Sequence, residues 1–441
     1  MSVTAVVGAQ WGDEGKGRIV DYLAQRASLV IRFQGGANAG HTVENEHGVF
    51  KLHLIPSGIF NPNTRCLLGA GTAVDPLELC SELDQLKKAS IDVSNLIICS
   101  RAHMVMPYHK LIDLYEERFR GKQKIGTTVK GIGPCYADKS ARNGFRISDL
   151  FTMDTLAFRQ RLEHILKVKA AYLQALGSQT EGSENSPLED LLNIDNIIAQ
   201  LQSTAEELLP RIVDSMTLVR EAIEYKEHIL LEGQLGVMKD LDWGTYPNVT
   251  SSNPTSAGAF SGAGVPPQYL SDVVGVVKAY STSVGSGAMP TELFDADGES
   301  LRDIGREYGA TTGRPRRCGW FDAVAVRYAN WLNGFTTLAI TKLDVLDTFD
   351  ELKICSGYKN KKGEVYKEMP EMHLLDDFEP VYETWPGWKT PTTQARTWDE
   401  LPKNARNYLK RISDLVGVPF RYVSVGPERT QIVVLDTLGV G

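Results

Sequence analysis

Cysteine is scarce and never paired. Cys66, Cys80, Cys99, Cys135, Cys318 and Cys355 are scattered with no C-x-x-C spacing, which argues against a disulfide framework and for buried thiols in a reducing compartment. The eight histidines show no paired metal-ligand spacing either. A basic block is missing, and the net charge is −8, so neither nucleic acid nor a membrane surface is expected as the main partner. No apolar run approaches the ~20 residues that span a bilayer, and nothing near Met1 resembles a signal peptide. The expected compartment is the cytoplasm. A standard Walker A loop is absent too: six residues separate Gly8 from Gly15 where four are usual, and Gly17 stands in place of the Mg²⁺-binding Ser or Thr.

What the chain does have is core-forming sequence and glycine-rich turns. Over 441 residues it is 42% hydrophobic, ample for a large core. Strand-like runs at Val3–Val7, Leu29–Phe33, Arg65–Leu68, Leu96–Cys99, Ile229–Glu232, Val273–Ala279, Leu338–Thr341 and Gln431–Leu435 alternate with amphipathic stretches. The latter include Leu77–Lys88, Leu156–Leu173, Ile194–Leu209 and Phe321–Leu332. This alternation predicts an α/β fold with a mostly parallel central sheet covered by helices. No internal repeat is present. Residues 1–441 read as a single large domain with a flexible, solvated loop near 177–187.

Four segments carry chemistry. Gly12-Asp13-Glu14-Gly15-Lys16-Gly17 follows the first strand and opens a helix, a layout that aims backbone N–H groups at an anion. Lys16 adds a positive charge, and Asp13 is placed to supply an oxygen to a metal, to act as a base, or both. Gly35-Gly36-Ala37-Asn38-Ala39-Gly40-His41-Thr42 permits close backbone approach to a ligand and offers donors at its rim. Thr341-Lys342-Leu343-Asp344 follows an apolar run, where a carboxylate can accept both N1–H and N2–H of guanine. Gly309-Ala310-Thr311-Thr312-Gly313-Arg314-Pro315-Arg316-Arg317 suits a mobile loop that clamps carboxylates or phosphates. Gly126-Thr127-Thr128, continuing through Lys139 and Arg142, and Ser424-Val425-Gly426 are further functional segments.

Together WGDEGKG (11–17), NAGHT (38–42), GTYP–VTSSN (244–253), ATTGRPRRCGW (310–320) and TKLDVLD (341–347) resemble the adenylosuccinate synthetase family over essentially the whole chain. The resemblance implies one α/β domain, similar to P-loop GTPases only in part. It implies a homodimeric, Mg²⁺-dependent ligase of AMP biosynthesis with GTP, IMP and L-aspartate as substrates. Asp13 would take the proton from N1 of IMP and, with the Gly40 carbonyl, hold Mg²⁺. His41 would stabilise phosphoryl transfer to O6 as an acid, and aspartate would then displace that phosphoryl group. Gly12, Glu14, Gly15, Lys16, Gly17 and Arg18 would cradle GTP with Gly40, Thr42 and Arg316. Lys342, Leu343 and Asp344 would read guanine beside Ser424, Val425 and Gly426. IMP would meet Asp13, Lys16, Asn38, His41, Thr128, Gln234, Leu235, Thr250 and Arg314, with Arg142 reaching in from the second subunit. Ala310, Thr311, Thr312, Gly313, Arg314, Pro315 and Arg316 would bind aspartate.

The departures from the family pattern cluster on the acceptor side. Gln234-Leu235 stands where Ala-Gln is usual, Lys239 where an apolar residue is, and Trp243 where His is. Val129 replaces a frequent glycine and Ser283 an arginine. Two other functions therefore stay open: the same ligase chemistry on dGMP, GMP or dIMP, and a non-catalytic GTP-binding module. The intact Asp13, His41 and aspartate clamp disfavour the second.

Overall fold

Ten strands form the central sheet of the computed structural model, which describes residues 2–38, 40–177, 192–309 and 313–435. Numbered in chain order they are β1 (Ser2–Gly8), β2 (Leu29–Arg32), β3 (Arg65–Leu68), β4 (Leu96–Cys99), β5 (Ile212–Val213), β6 (His228–Gly236), β7 (Leu270–Lys278), β8 (Thr337–Thr341), β9 (Phe420–Ser424) and β10 (Ile432–Val434). Their order across the sheet is β10-β9-β8-β7-β1-β6-β2-β3-β4-β5. Every neighbouring pair is parallel except β9–β10. The expected loop at 177–187 falls, apart from Gly177, outside the described residues.

Both faces of the sheet are buried, so its strands are apolar throughout rather than alternating. Successive side chains still part to opposite faces. Val3, Ala5 and Val7 of β1 join Leu29 and Ile31 of β2 in one core, while Val6 and Val30 join the other. Helices Lys16–Ala24 and Pro76–Lys88 help cover the second face, and Ala323–Asn333 and Lys403–Val416 help cover the first. Helix Pro76–Lys88 starts where Asp75 accepts hydrogen bonds from the N–H groups of Leu77 and Glu78, a capping contact of about 1 kcal/mol.

Where expectation and structure differ, local hydrogen bonds explain it. The helix expected from Phe321 begins at Ala323, because Asp322 serves as its N-cap and accepts from the Ala325 N–H at 3.0 Å. Phe321 stays extended and pairs with Ile354. The antiparallel pairs His41–Asn45 with Gly48–Leu52 and Glu351–Lys359 with Glu379–Pro386 lie outside the expected strands. The first matters most, since it puts His41 on a hairpin strand rather than in a loop.

Parallel strands point the same way, so the carboxyl ends of β1, β2, β6, β7, β8 and β9 share one edge. Open α/β sheets bind ligands at this edge, and every motif singled out above for a central strand follows a strand there.

Candidate active site

The loop after β1 is built around a buried carboxylate. Glu14 is fully buried; its Oε1 accepts from the N–H groups of Gln10 at 3.0 Å and Gly12 at 2.9 Å, and its Oε2 lies 2.5 Å from Lys16 Nζ. Glu14 thus shapes the loop from inside. Gly12, Asp13 and Gly15 all take left-handed backbone, with φ of 99°, 58° and 85°, which Gly adopts freely and Asp tolerates. The missing Ser or Thr at position 17 has a steric cause: a Cβ on Gly17 would stand 2.7 Å from His41 Cβ.

His41 is held from behind. Its Nδ1 lies 2.6 Å from Glu232 Oε1, on a carboxylate that also accepts from Ser57 Oγ at 2.7 Å and Ser57 N–H at 2.9 Å. Burial disfavours charge on Glu232, but the hydrogen bonds from His41 and Ser57 and the charge of Arg32 outweigh it and keep its carboxyl below the ordinary range. Burial holds His41 below its ordinary value, only partly opposed by Glu232, with Arg32 and Lys16 adding to the depression. The pair is therefore a neutral imidazole donating Nδ1–H to a carboxylate, which leaves Nε2 for chemistry.

A cavity of about 970 Å³ opens in front of these residues. Among its lining residues are Asp13, Gly15, Lys16, Gly17, Arg18, Gly40, His41 and Thr42, together with Lys342, Asp344, Leu235, Gly313, Arg316 and Gly426. Its size suits a nucleotide. Burial raises Asp344, partly opposed by Lys342 and Arg18. Thr341 Oγ1 donates to the Glu14 carbonyl at 2.5 Å, clipping the end of β8 to the loop after β1. Leu343, Ser424 and Val425 are buried beneath this wall rather than lining it.

The far wall is a charge network. Arg316 Nε lies 2.9 Å from Asp13 Oδ2, and its NH1 donates to Glu307 Oε2 at 2.6 Å. Glu307 is fully buried and also takes hydrogen bonds from Lys278 Nζ at 2.9 Å and from the Tyr280 hydroxyl. Burial alone would raise this carboxyl, but Lys278, Lys342 and Arg316 bring it down to about 2. Lys278 is in turn lowered to about 8 by burial.

The residues expected to meet the acceptor lie mostly on loops. Arg314 NH2 donates to the carbonyls of Gly126 at 3.2 Å and Thr127 at 3.0 Å, which joins the clamp segment to the loop bearing Thr128. Thr250 Oγ1 and Ser252 Oγ are 3.5 Å apart, Ser252 donates to Gln34, and Gln34 Nε2 donates to the Gln234 carbonyl at 2.6 Å. The Gln234 side chain is fully buried and bonds to Arg32 and Asn38, so Leu235, not Gln234, faces the cavity. Lys239 does not reach solvent: its Nζ donates to the Asn248 carbonyl at 3.1 Å, and burial, then Arg317, lowers it to about 8 against the pull of Asp13. Arg142 stands exposed at the end of helix Ile132–Ala141 with φ of 65°, away from the cavity lining. Of the clamp, Ala310, Thr311 and Thr312 lie outside the described residues.

Sequence reasoning passed over Glu232, Ser57, Glu307 and Arg32. A signal existed for two of them, since Glu232 and Arg32 each interrupt an apolar strand; Glu307 and Ser57 gave none. No group of three His, Cys, Asp or Glu side chains suited to a metal occurs among the described residues. Asp13 and Gly40 both line the cavity, and a carboxylate with a backbone carbonyl is a sparse hard-oxygen set of the kind Mg²⁺ takes when water and phosphate oxygens complete it.

A sequence model described as adenylosuccinate synthetase matches residues 5–433. The chain belongs to the adenylosuccinate synthetase family. Curated relatives of that name include one from Gloeobacter violaceus, 49% identical over 99% of this chain and 96% of its own length, and one from Moorella thermoacetica, 48% identical over 99% and 100%. Among solved structures, the fully ligated adenylosuccinate synthetase of Plasmodium falciparum superposes with a TM-score of 0.89 at 36% identity, covering 99% of this chain and 100% of that one. The succinoaminodeoxyadenylate synthetase of cyanophage S-2L, solved with dGMP and dATP, reaches 0.61 at 19% identity, over 98% and 95%. It shares the fold.

Proposed function

We propose that the chain joins IMP to L-aspartate with GTP, releasing adenylosuccinate, GDP and phosphate, as a step in AMP biosynthesis. Membership of this family supports the reaction, and the observation that carries the residue assignment is the meeting of Asp13, Glu232-held His41, Lys16 and Asp344 around one cavity. Asp13 accepts the proton from N1 of IMP, so that O6 gains the electron density to attack the γ-phosphorus of GTP; the bond to GDP breaks as the O6–P bond forms. The aspartate amine then adds at C6 and phosphate departs, carrying the electron pair of the C6–O6 bond. An amide-like oxygen leaves poorly and a phosphate leaves well, which is why the nucleotide is spent.

His41 is neutral in its buried pocket because burial is reinforced by the charges of Arg32 and Lys16. Triphosphate oxygens beside Lys16 offset that positive field, favour the imidazolium, and so ready Nε2–H to donate to the transferring phosphoryl group. Lys16 and the N–H groups of the loop hold phosphates, while Asp344 pairs with guanine. Asp13 and Gly40 would hold Mg²⁺, which supplies charge neutralisation between the phosphate oxygens. Asn38, Thr128, Thr250 and Arg314 hold the acceptor nucleotide, Arg142 completes it from the partner of a homodimer, and residues 310–316 clamp aspartate. The setting is cytoplasmic.

The test is phosphate release on IMP, dIMP, GMP and dGMP, each with GTP or ATP, with and without aspartate. Turnover requiring IMP, GTP and aspartate together is expected. Preference for another 6-oxopurine would move the acceptor assignment while keeping the mechanism, and aspartate-independent GTP hydrolysis would overturn the ligase reading.

A further inference from the structure

A one-way chain of hydrogen bonds runs from a buried cation to the acceptor pocket. Arg32 is fully buried, and a guanidinium has donors only. Its NH2 donates to the Gly36 carbonyl at 3.2 Å and to Gln234 Oε1. That fixes which end of the Gln234 amide faces Arg32, so Nε2 must face the other way. It donates to Asn38 Oδ1 at 2.6 Å. With its oxygen taken, Asn38 keeps Nδ2, a pure donor, as its second end. Ordinarily the two ends of such an amide are hard to assign; here the donor-only guanidinium decides both amides in turn.

The glutamine has no room to choose otherwise. It is fully buried, its backbone carbonyl accepts from Gln34 Nε2 at 2.6 Å, and a Cβ on Gly35 would lie 2.4 Å from its Oε1. Gly35 itself has φ of 79°. Asn38, by contrast, is only partly buried, two residues before Gly40 on the segment that lines the cavity.

We infer that Gln234 is a positioning residue that sets the polarity of Asn38, turning its N–H₂ end to the acceptor nucleotide and so favouring an anionic or carbonyl oxygen there. The inference rests on the reading that Asn38 holds that nucleotide. Gln234 acts through Asn38 and touches no substrate.

Two variants of near-equal volume separate this role from simple packing. In Gln234→Glu the carboxylate still accepts from Arg32 but cannot donate to Asn38, so the Asn38 amide inverts and offers oxygen to the nucleotide. The expected result is a KM for IMP raised about 10–100-fold, with kcat and the KM for GTP within about 3-fold and no loss of Tm. Gln234→Met leaves Asn38 unbiased, so KM for IMP rises less, roughly 3–10-fold, although Tm falls because the buried Arg32 charge loses a partner. A packing role predicts the reverse ranking in the KM for IMP, with Met worse than Glu there as it is in Tm, and would overturn the inference. An unchanged KM for IMP in either folded variant also overturns it, provided Asn38→Ala raises that KM. If Asn38→Ala leaves the KM unchanged, the fault lies in the placement of Asn38. In the Asn38→Ala background, Gln234→Glu is expected to add nothing; an additive effect would show that Gln234 acts elsewhere.

Discussion

The two halves of the site meet the same need, an uncommon backbone shape close to a ligand, with different materials. On the GTP side the turns after β1 use Gly12, Asp13 and Gly15 at positive φ, residues that take this shape at little cost. On the acceptor side Val129 and Leu235 hold φ of 55° and 61°, a conformation that is a genuine outlier for a β-branched residue. The residues proposed for GTP also follow the carboxyl ends of sheet strands, whereas on the proposed acceptor side Arg314 ties one loop to another. The loop after β1 is thus relaxed, whereas left-handed strain sits at Val129, at Leu235 and, just after β8, at Lys342 with φ of 60°.

The sharpest way to break the comparison is at the base. Asp13→Asn is expected to lower kcat at least about 100-fold while GTP binding, followed by calorimetry, persists. Near-normal turnover would remove Asp13 from the chemistry. Next comes the support of His41: Glu232→Gln keeps a hydrogen bond but loses the charge that favours imidazolium, so kcat is expected to fall roughly 10–100-fold with nucleotide KM values nearly constant. An effect confined to KM would make Glu232 a structural residue only.

Asp344→Asn tests the guanine wall. Its kcat/KM for GTP is expected to fall by about 1–3 kcal/mol, with xanthine nucleotides gaining as donors; indifference to the base would mean that Asp344 does not read it. Glu307→Gln tests the far wall through stability. Its carboxyl, near 2 against an ordinary 4.5, is depressed in the folded chain, so its contribution is complete above about pH 4.5 and is lost as the pH falls toward 2. The Tm gap between parent and variant should be widest above pH 5 and close on acidification; a gap that does not depend on pH would contradict the charge network. The smallest effect belongs to Val129→Gly. Relief of left-handed strain, about 1–2 kcal/mol, offsets the roughly 0.5–1 kcal/mol entropic cost of glycine, so chemical denaturation should show a gain of at most about 1.5 kcal/mol. A loss would mean that valine packing there outweighs the strain.

The parallel sheet was legible because its strands are apolar runs bounded by turns, and Arg65–Leu68 and Leu96–Cys99 match residue for residue. The hairpin carrying His41 was not, since His41-Thr42-Val43-Glu44-Asn45 has no apolar run and owes its shape to pairing with Gly48–Leu52. Within the site, Lys16, Asp13 and Asp344 could be read because glycine turns and a strand end announce them. Residues that act through another residue could not: Glu307 sits in a polar stretch, and only folding brings it to Lys278 and Arg316. Gln234 looked like a ligand contact by position, yet strand β6 turns its side chain into the sheet edge toward Arg32.

The buried Glu14 has a consequence for how this chain can change. A Cβ on Gly8 would lie 2.5 Å from Glu14 Oε2, and one on Gly236 would lie 2.4 Å from Glu14 Oε1. Backbone crowds them as well: the same Cβ atoms would lie 2.4 Å from the Leu235 carbonyl and 2.3 Å from the Gln10 carbonyl. Neither glycine can therefore acquire a side chain even if Glu14 shortens, and Glu14 cannot shorten without releasing Lys16 and the N–H groups of Gln10 and Gly12. Three positions on two strands and one loop are locked into a single unit of inheritance: each one-step substitution passes through a misfit, and pairing a glycine replacement with one at Glu14 does not remove it, because the crowding backbone stays in place.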